Sequence, residues 1–161
     1  MTNSHRRLAF DLTVWAVSLC AGIVLIAHEA MADGHRYRAD NARWKAECGS
    51  CHLAYPPQLL PAPAWRSIMA GLDKHFGTDA SLDPAAAAEI GTFLQNNAGS
   101  SRRVGAQSLR ITETAWFRHE HDEVPGAAWQ RPSIKSAANC AACHRTAEEG
   151  DFRERNIRIP R

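Results

Sequence analysis

The sequence predicts an all-α fold made of two small lobes with long loops. Apolar residues recur at helical spacing in several stretches, one of which runs from Ala64 to His75. The alternation of apolar and polar residues that is typical of strands is scarce. Four prolines fall between positions 55 and 63, where they fix the backbone and remove hydrogen-bond donors. Helices joined by rigid loops therefore account for the pattern better than a sheet.

Two further helices are predicted from their start signals. Asp83 and Pro84 form a good N-cap and first-turn pair for a helix that ends near Asn97. The stretch 112–122 is also expected to be helical, with Thr112 or Thr114 as its cap. The polar, glycine-containing stretch 100–108 is the expected linker between the lobes.

The first 32 residues have the features of an export signal. A short positive region is followed by an uncharged apolar stretch from Leu12 to Ala27. Ala30-Met31-Ala32 then places small residues where a signal peptidase reads them, so cleavage is expected before Asp33. The alternative is a retained membrane anchor, which the short apolar stretch disfavours because a span needs about 20 residues. We therefore expect a periplasmic protein.

Charge and composition exclude one class of partner and suggest a cofactor. The formal net charge of +2 is not the balance of a nucleic-acid-binding protein. Aromatic residues make up only 7% of the chain, so an apolar core built from side chains alone would be thin. A large apolar prosthetic group would supply the missing mass.

The cysteines identify that group. The chain has five, of which Cys20 lies in the export signal. The other four belong to two C-x-x-C-H motifs, at 48–52 and 140–144, and this motif is the attachment signature of haem c. On one helical turn the two thiols and the histidine share a face, so the thiols add to the two vinyl groups while the imidazole binds the iron. The attachment residues and proximal ligands are Cys48, Cys51, His52, Cys140, Cys143 and His144.

The two motifs divide the exported chain into two cytochrome c-like haem lobes, at 33–99 and 100–161. The second motif is expected on a helix over 136–145. Three other uses of the cysteines are disfavoured. Zinc does not account for a histidine directly after both pairs in an exported chain. A C-x-x-C disulfide closes a very small loop, and a redox dithiol would need a βαβ pattern that is absent from the sequence.

The sixth ligands of the two irons remain open on the residues alone. His75 follows His52 by the same number of residues by which His121 precedes His144. Met69 lies on the apolar side of its helix, where core packing is the better interpretation. His119 and His121 lie two positions apart, so only one of them should reach an iron from a helix. The full set of candidates is His35, Met69, His75, His119 and His121.

Four blocks of the sequence resemble the bacterial dihaem cytochrome c family. They comprise residues 47–61 with Tyr-Pro-Pro, 65–77, 112–124 with Glu-His-Asp-Glu, and 139–144. The resemblance implies a mostly helical periplasmic protein with bis-histidine iron in both lobes. Carried over by position, the distal ligands are His75 and His121. It also implies redox partners such as a membrane cytochrome b561 and a small soluble oxygen-binding haem protein.

The expected function is single-electron transfer between membrane-bound donors and soluble haem protein acceptors, without enzymatic activity. Bis-histidine coordination leaves no vacant iron position for a small-molecule substrate, and it gives a lower potential than methionine ligation. The alternatives are a peroxidase-like enzyme with one open site, a redox or gas sensor module, and a structural subunit of a respiratory complex.

Overall fold

The computed structural model describes residues 36–104 and 108–161. The predicted export signal, the candidate ligand His35 and the central part of the predicted linker lie outside the described residues. In the described part of the chain the regular elements are helices and 3₁₀ turns, joined by isolated β-bridges. The α-helices are α1 (Ala42–Cys48), α2 (Ala62–Ala70), α3 (Pro84–Asn96), α4 (Ser101–Val104) and α5 (Ala115–Glu120).

The core lies where α1, α2 and α3 meet. Each of these helices has a local start signal: Asn41 caps α1 through a 2.7 Å bond from Trp44 N, and Asp83 caps α3 through 3.0 Å bonds from two backbone amides. Proline in the first turn opens both α2 and α3. The buried cluster consists of Trp44, Leu60, Ala64, Trp65, Ile90 and Leu94.

The loop before α2 is fixed to this core by a side chain. Trp65 is 6% exposed, and its indole Nε1 donates a 2.7 Å hydrogen bond to the carbonyl oxygen of Pro57. The proline-rich stretch forms a 3₁₀ turn over Pro57–Leu59 instead of a regular helix. The prolines, which lack backbone donors, are thereby accommodated in a loop that this side-chain hydrogen bond fixes.

The C-terminal part of the fold is built mainly from 3₁₀ turns. Apart from α5, the elements from residue 108 onward are single turns with short-range hydrogen bonds. Buried apolar residues here include Phe117, Ala128 and Ile134. The turns are Ile111–Glu113, Gly126–Gln130, Cys140–Ala142, Ala147–Glu149 and Glu154–Asn156.

The all-α fold class is confirmed, while several element bounds differ from the prediction. The helix expected over 64–75 ends at Ala70, where Gly71 follows, and continues as a 3₁₀ turn over Leu72–Lys74. The helix expected over 112–122 is split by Thr114, which ends a 3₁₀ turn and caps α5. The prediction of a helix over 136–145 was wrong, because only one turn forms there.

Among the described residues, 36–104, 108–152 and 156–161 belong to one compact unit. The division into two lobes, at 33–99 and 100–161, remains a prediction. None of the helices in the described residues is long and apolar enough to span a bilayer.

Candidate haem-binding sites

The first C-x-x-C-H motif begins at the C-terminus of α1. Cys48 is the last helical residue, and Gly49 N donates a 3.0 Å bond to the carbonyl oxygen of Lys45. A Cβ at Gly49 would collide with that same oxygen, so glycine is required for this close approach. The helix end therefore directs Cys51 and His52 out of the core, and both are exposed.

Two histidines face each other at the first site. The imidazole centroids of His52 and His75 lie 6.2 Å apart, with ring planes 23° apart. His52 Nδ1 lies 2.7 Å from the carbonyl oxygen of Leu53, and Tyr55 stacks on the His52 ring at 4.8 Å. The carbonyl oxygen can only accept, so the proton lies on Nδ1. Nε2 is then unprotonated and available to bind a metal.

His75 is placed by a tight turn. It follows the 3₁₀ turn Leu72–Lys74, and the chain then reverses through Phe76 (φ 50°) and Gly77 (φ 99°). Burial, together with the nearby His52, lowers the pKa of His75. A neutral imidazole is the form that binds a metal.

The second C-x-x-C-H motif forms one helical turn. Cys140 O accepts hydrogen bonds from Cys143 N at 3.2 Å and from His144 N at 2.8 Å. The turn is fixed from the far end of the chain, since Arg158 N donates to Cys143 O at 2.9 Å. A single turn therefore brings the two cysteines and the histidine of the motif together, although a longer helix had been expected.

Two histidines also face each other at the second site. The imidazole centroids of His121 and His144 lie 6.1 Å apart, with ring planes 75° apart. His121 ends α5, and its Nδ1 lies 2.9 Å from the carbonyl oxygen of Phe117, one turn earlier. The Phe117 ring stacks on His121 at 4.1 Å. Thr114 accepts a 3.1 Å bond from Phe117 N, so the cap of α5 supports the same turn.

The proximal histidine of the second site differs from that of the first. His144 Nδ1 is buried and has no hydrogen-bond partner within the described part of the chain. The ring packs against Phe152 at 5.1 Å. Burial, with the nearby His121, lowers the pKa of His144.

Both histidine pairs have the separation that an axial iron requires. A metal–imidazole bond is about 2 Å long and the bonding nitrogen lies about 1 Å from the ring centre, so two opposed ligands of one ion hold their centroids about 6 Å apart. The observed 6.2 and 6.1 Å match this value. The residues present therefore fit a haem at each motif.

None of the four described cysteines is paired in a disulfide, so all four are available for haem attachment. Burial raises the pKa of Cys48 and of Cys140 to about 11, and it also raises the pKa of Cys143. Within residues 36–104 and 108–161, no three His, Cys, Asp or Glu side chains converge as a metal-ion site.

Met69 and His119, the other candidate ligands among the described residues, do not pair with either proximal histidine. Met69 packs against the apolar core, and its Cγ lies 3.9 Å from the position of a Cβ on Gly91. His119 is exposed in the last turn of α5. The prediction missed the aromatic residues that contact the histidines, because the pairing of Tyr55, Phe117 and Phe152 with these rings arises from packing and leaves no spacing signal.

Comparison with known proteins gives a consistent result. The family model for dihaem cytochrome c matches residues 44–152. The crystal structure of a dihaem cytochrome c from Shewanella baltica OS155 is similar at 46% identity and a TM-score of 0.67, over 74% of this chain and 93% of that one. A dihaem cytochrome c from Rhodobacter sphaeroides has 41% identity and a TM-score of 0.65, over 73% of this chain and 100% of that one. None of the curated proteins matches the chain.

Proposed function

Because the chain belongs to the dihaem cytochrome c family and carries two covalently bound haem c groups, we propose that it is a periplasmic electron carrier with bis-histidine iron at both sites. The observation that supports this proposal most directly is the pair of imidazoles at each motif, with centroids 6.2 and 6.1 Å apart. A second histidine bound to each iron would occupy the position where a substrate would otherwise bind.

Each haem supplies a one-electron couple when bound. The attachment residues are Cys48 and Cys51 at the first site and Cys140 and Cys143 at the second. His52 and His144 are the proximal ligands, and His75 and His121 are the distal ones. These roles follow the motifs and the resemblance to the family, and the placement of the side chains supports them.

The chain orients three of the four imidazoles through identifiable contacts. Carbonyl oxygens accept the Nδ1 protons of His52 and His121, which fixes the tautomer and directs Nε2 away from the backbone. The reversal at Phe76 and Gly77 fixes the direction of His75. If both histidines stay bound to the iron in its oxidised and reduced states, the structural reorganisation on electron gain is small. This suits an electron carrier, and it leaves no open iron position for catalysis.

The ligand assignment is tested by optical spectra of distal-ligand variants. We expect the oxidised wild-type protein to be fully low-spin and its reduced form to bind no carbon monoxide. His75→Ala and His121→Ala should each convert one haem to a high-spin, carbon monoxide-binding form. His119→Ala is the matched control, because His119 is exposed two residues before His121.

A low-spin His121→Ala protein, or a high-spin His119→Ala protein, would overturn the assignment at the second site. Carbon monoxide binding by the reduced wild-type protein would overturn the carrier proposal and favour a peroxidase-like enzyme with one open site.

Location and partners are proposed on the resemblance to the family and on the N-terminal sequence. Export would release a mature chain that begins at Asp33, which N-terminal sequencing of a periplasmic fraction tests. The proposed donor is a membrane cytochrome b561-like protein, and the proposed acceptor is a small soluble haem protein. Co-purification with a membrane cytochrome b, followed by reduction of the carrier by that cytochrome, would support the donor. A carrier that membranes fail to reduce would contradict it.

A further inference from the structure

Tyr55 contacts both haem-binding sites. Its ring stacks on the His52 imidazole, with centroids 4.8 Å apart and planes 23° apart. Its hydroxyl donates a 2.7 Å hydrogen bond to the carbonyl oxygen of Ala138, two residues before Cys140. One side chain therefore connects a proximal ligand of the first site to the peptide segment that carries the second attachment motif.

Tyr55 is well supported at both ends. It is half-buried and packs against the core formed by α1, α2 and α3, directly before Pro56 and Pro57, which restrict the backbone. At the other end, Asn139 Nδ2 donates to the carbonyl oxygen of Ile134 at 2.9 Å, which holds the segment that contains Ala138. Burial raises the pKa of Tyr55 to about 12, so the phenol is protonated at neutral pH and remains a donor.

From these contacts we propose that Tyr55 is a positioning residue that couples the two haems. It holds the His52 imidazole in one orientation and ties that orientation to the position of the segment bearing Cys140. A small displacement of this segment on electron gain at the second site would be transmitted through the hydrogen bond to the Tyr55 ring and so to His52. The inference rests on the proposed bis-histidine coordination of the first site.

The tyrosine itself stays reduced and keeps its proton. When one electron passes between the sites, the iron that loses it becomes ferric and the iron that gains it becomes ferrous. Tyr55 contributes geometry to this exchange, since it sets the orientation of His52. Direct electrostatic repulsion between the two centres acts whether or not Tyr55 is present, so loss of the residue should weaken the coupling without abolishing it.

The test uses Tyr55→Phe in the full holoprotein. This change removes the hydroxyl, and with it the hydrogen bond to Ala138, and leaves the aromatic ring. Proton NMR of the haem methyl groups resolves each haem, its redox state and the orientation of its axial imidazoles. We expect altered methyl shifts at both haems, because the lost hydrogen bond joins the two sites, and a smaller shift in the potential of each haem when the other is reduced.

Two further variants make the result specific. Tyr37→Phe removes the hydroxyl of the only other tyrosine, whose ring meets Phe152 edge-on, and it should leave the coupling as in the wild type. Tyr55→Leu removes the stack as well, so it should change the methyl shifts of the first haem more than Tyr55→Phe does.

Coupling and methyl shifts that remain at wild-type values in Tyr55→Phe would overturn the inference, as would equal effects of Tyr55→Phe and Tyr37→Phe. Failure of the proposed function can be distinguished from failure of this inference. It would appear as high-spin iron or carbon monoxide binding in the wild-type protein.

Discussion

The two haem-binding sites share one ligand pattern but are supported in different ways. The first adjoins the core of three helices, and its histidine planes lie 23° apart. The second is held by α5, by single turns and by aromatic rings, and its histidine planes lie 75° apart. Equal ligand sets therefore need not give equal haems, because the orientation and hydrogen bonding of each imidazole are set by its own neighbours.

The largest expected difference concerns stability. Trp65 and Phe117 are almost equally buried, at 6% and 7% exposure. Trp65→Ala should cost about 4 kcal/mol, because it leaves a cavity in the helical core and removes the hydrogen bond to Pro57. Phe117→Ala should cost about 3 kcal/mol, and it should also disturb the spectrum of the second haem by removing the stack on His121.

Guanidinium unfolding followed by circular dichroism measures both free energies, while the low-spin spectrum reports the haems. We infer that Trp65 stabilises the helical core, whereas Phe117 also supports the ligand His121. A larger change of the haem spectrum in Trp65→Ala than in Phe117→Ala would contradict this inference.

Removal of the helix caps should give a smaller difference between the two sites. Asp83→Ala and Thr114→Ala each remove an N-cap and should each cost about 1 kcal/mol of unfolding free energy. Only Thr114→Ala should raise the high-spin fraction of the oxidised protein on warming, because His121 is the C-cap residue of α5. Asp83→Ala serves as its control, and an equal rise in both variants would show that His121 does not depend on its helix cap.

The smallest expected difference is one of potential. Each site has one imidazole that donates its Nδ1 proton to a carbonyl oxygen, His52 to Leu53 and His121 to Phe117, so hydrogen bonding does not separate the two haems. The proximal ligands differ in exposure, because His52 is exposed and His144 Nδ1 is buried. Solvent exposure stabilises the more highly charged ferric state, so the first haem should have the lower midpoint potential. The expected separation stays below about 59 mV, the one-electron equivalent of a tenfold change in equilibrium.

Spectroelectrochemical titration of His75→Met and His121→Met assigns the two waves, since methionine ligation raises the potential of the haem it binds. If His75→Met shifts the higher of the two wild-type potentials, the predicted order is reversed.

In the first half, local signals predicted α2 and α3 but not α1, and they predicted the helices of the second half less well. Asp83 and Pro84 marked the start of α3 because a cap and its helix are adjacent in the chain. Thr114 was one of two predicted caps for the stretch 112–122. The structure has a 3₁₀ turn before Thr114 and a short helix after it, and this break was not predicted. The second motif lacks a helix because its turn is held by Arg158, a contact between distant parts of the chain.

The sequence by itself determined the attachment chemistry. Two cysteines and a histidine must lie within one turn to serve one porphyrin, and a requirement confined to five residues can be read directly from their spacing. The distal histidines were proposed from the resemblance to the family, since candidates such as Met69 and His119 were equally visible in the chain.

Only the tertiary structure decided which side chains meet. It brought His75 to His52 and His121 to His144, left His119 exposed, and placed Met69 against the core. It also set the different angles of the two histidine pairs and the contacts of Tyr55 with His52 and with Ala138, two residues before the second motif. The physical reason is that these contacts join residues far apart in the chain, so they depend on the packing of the whole unit and leave no local pattern.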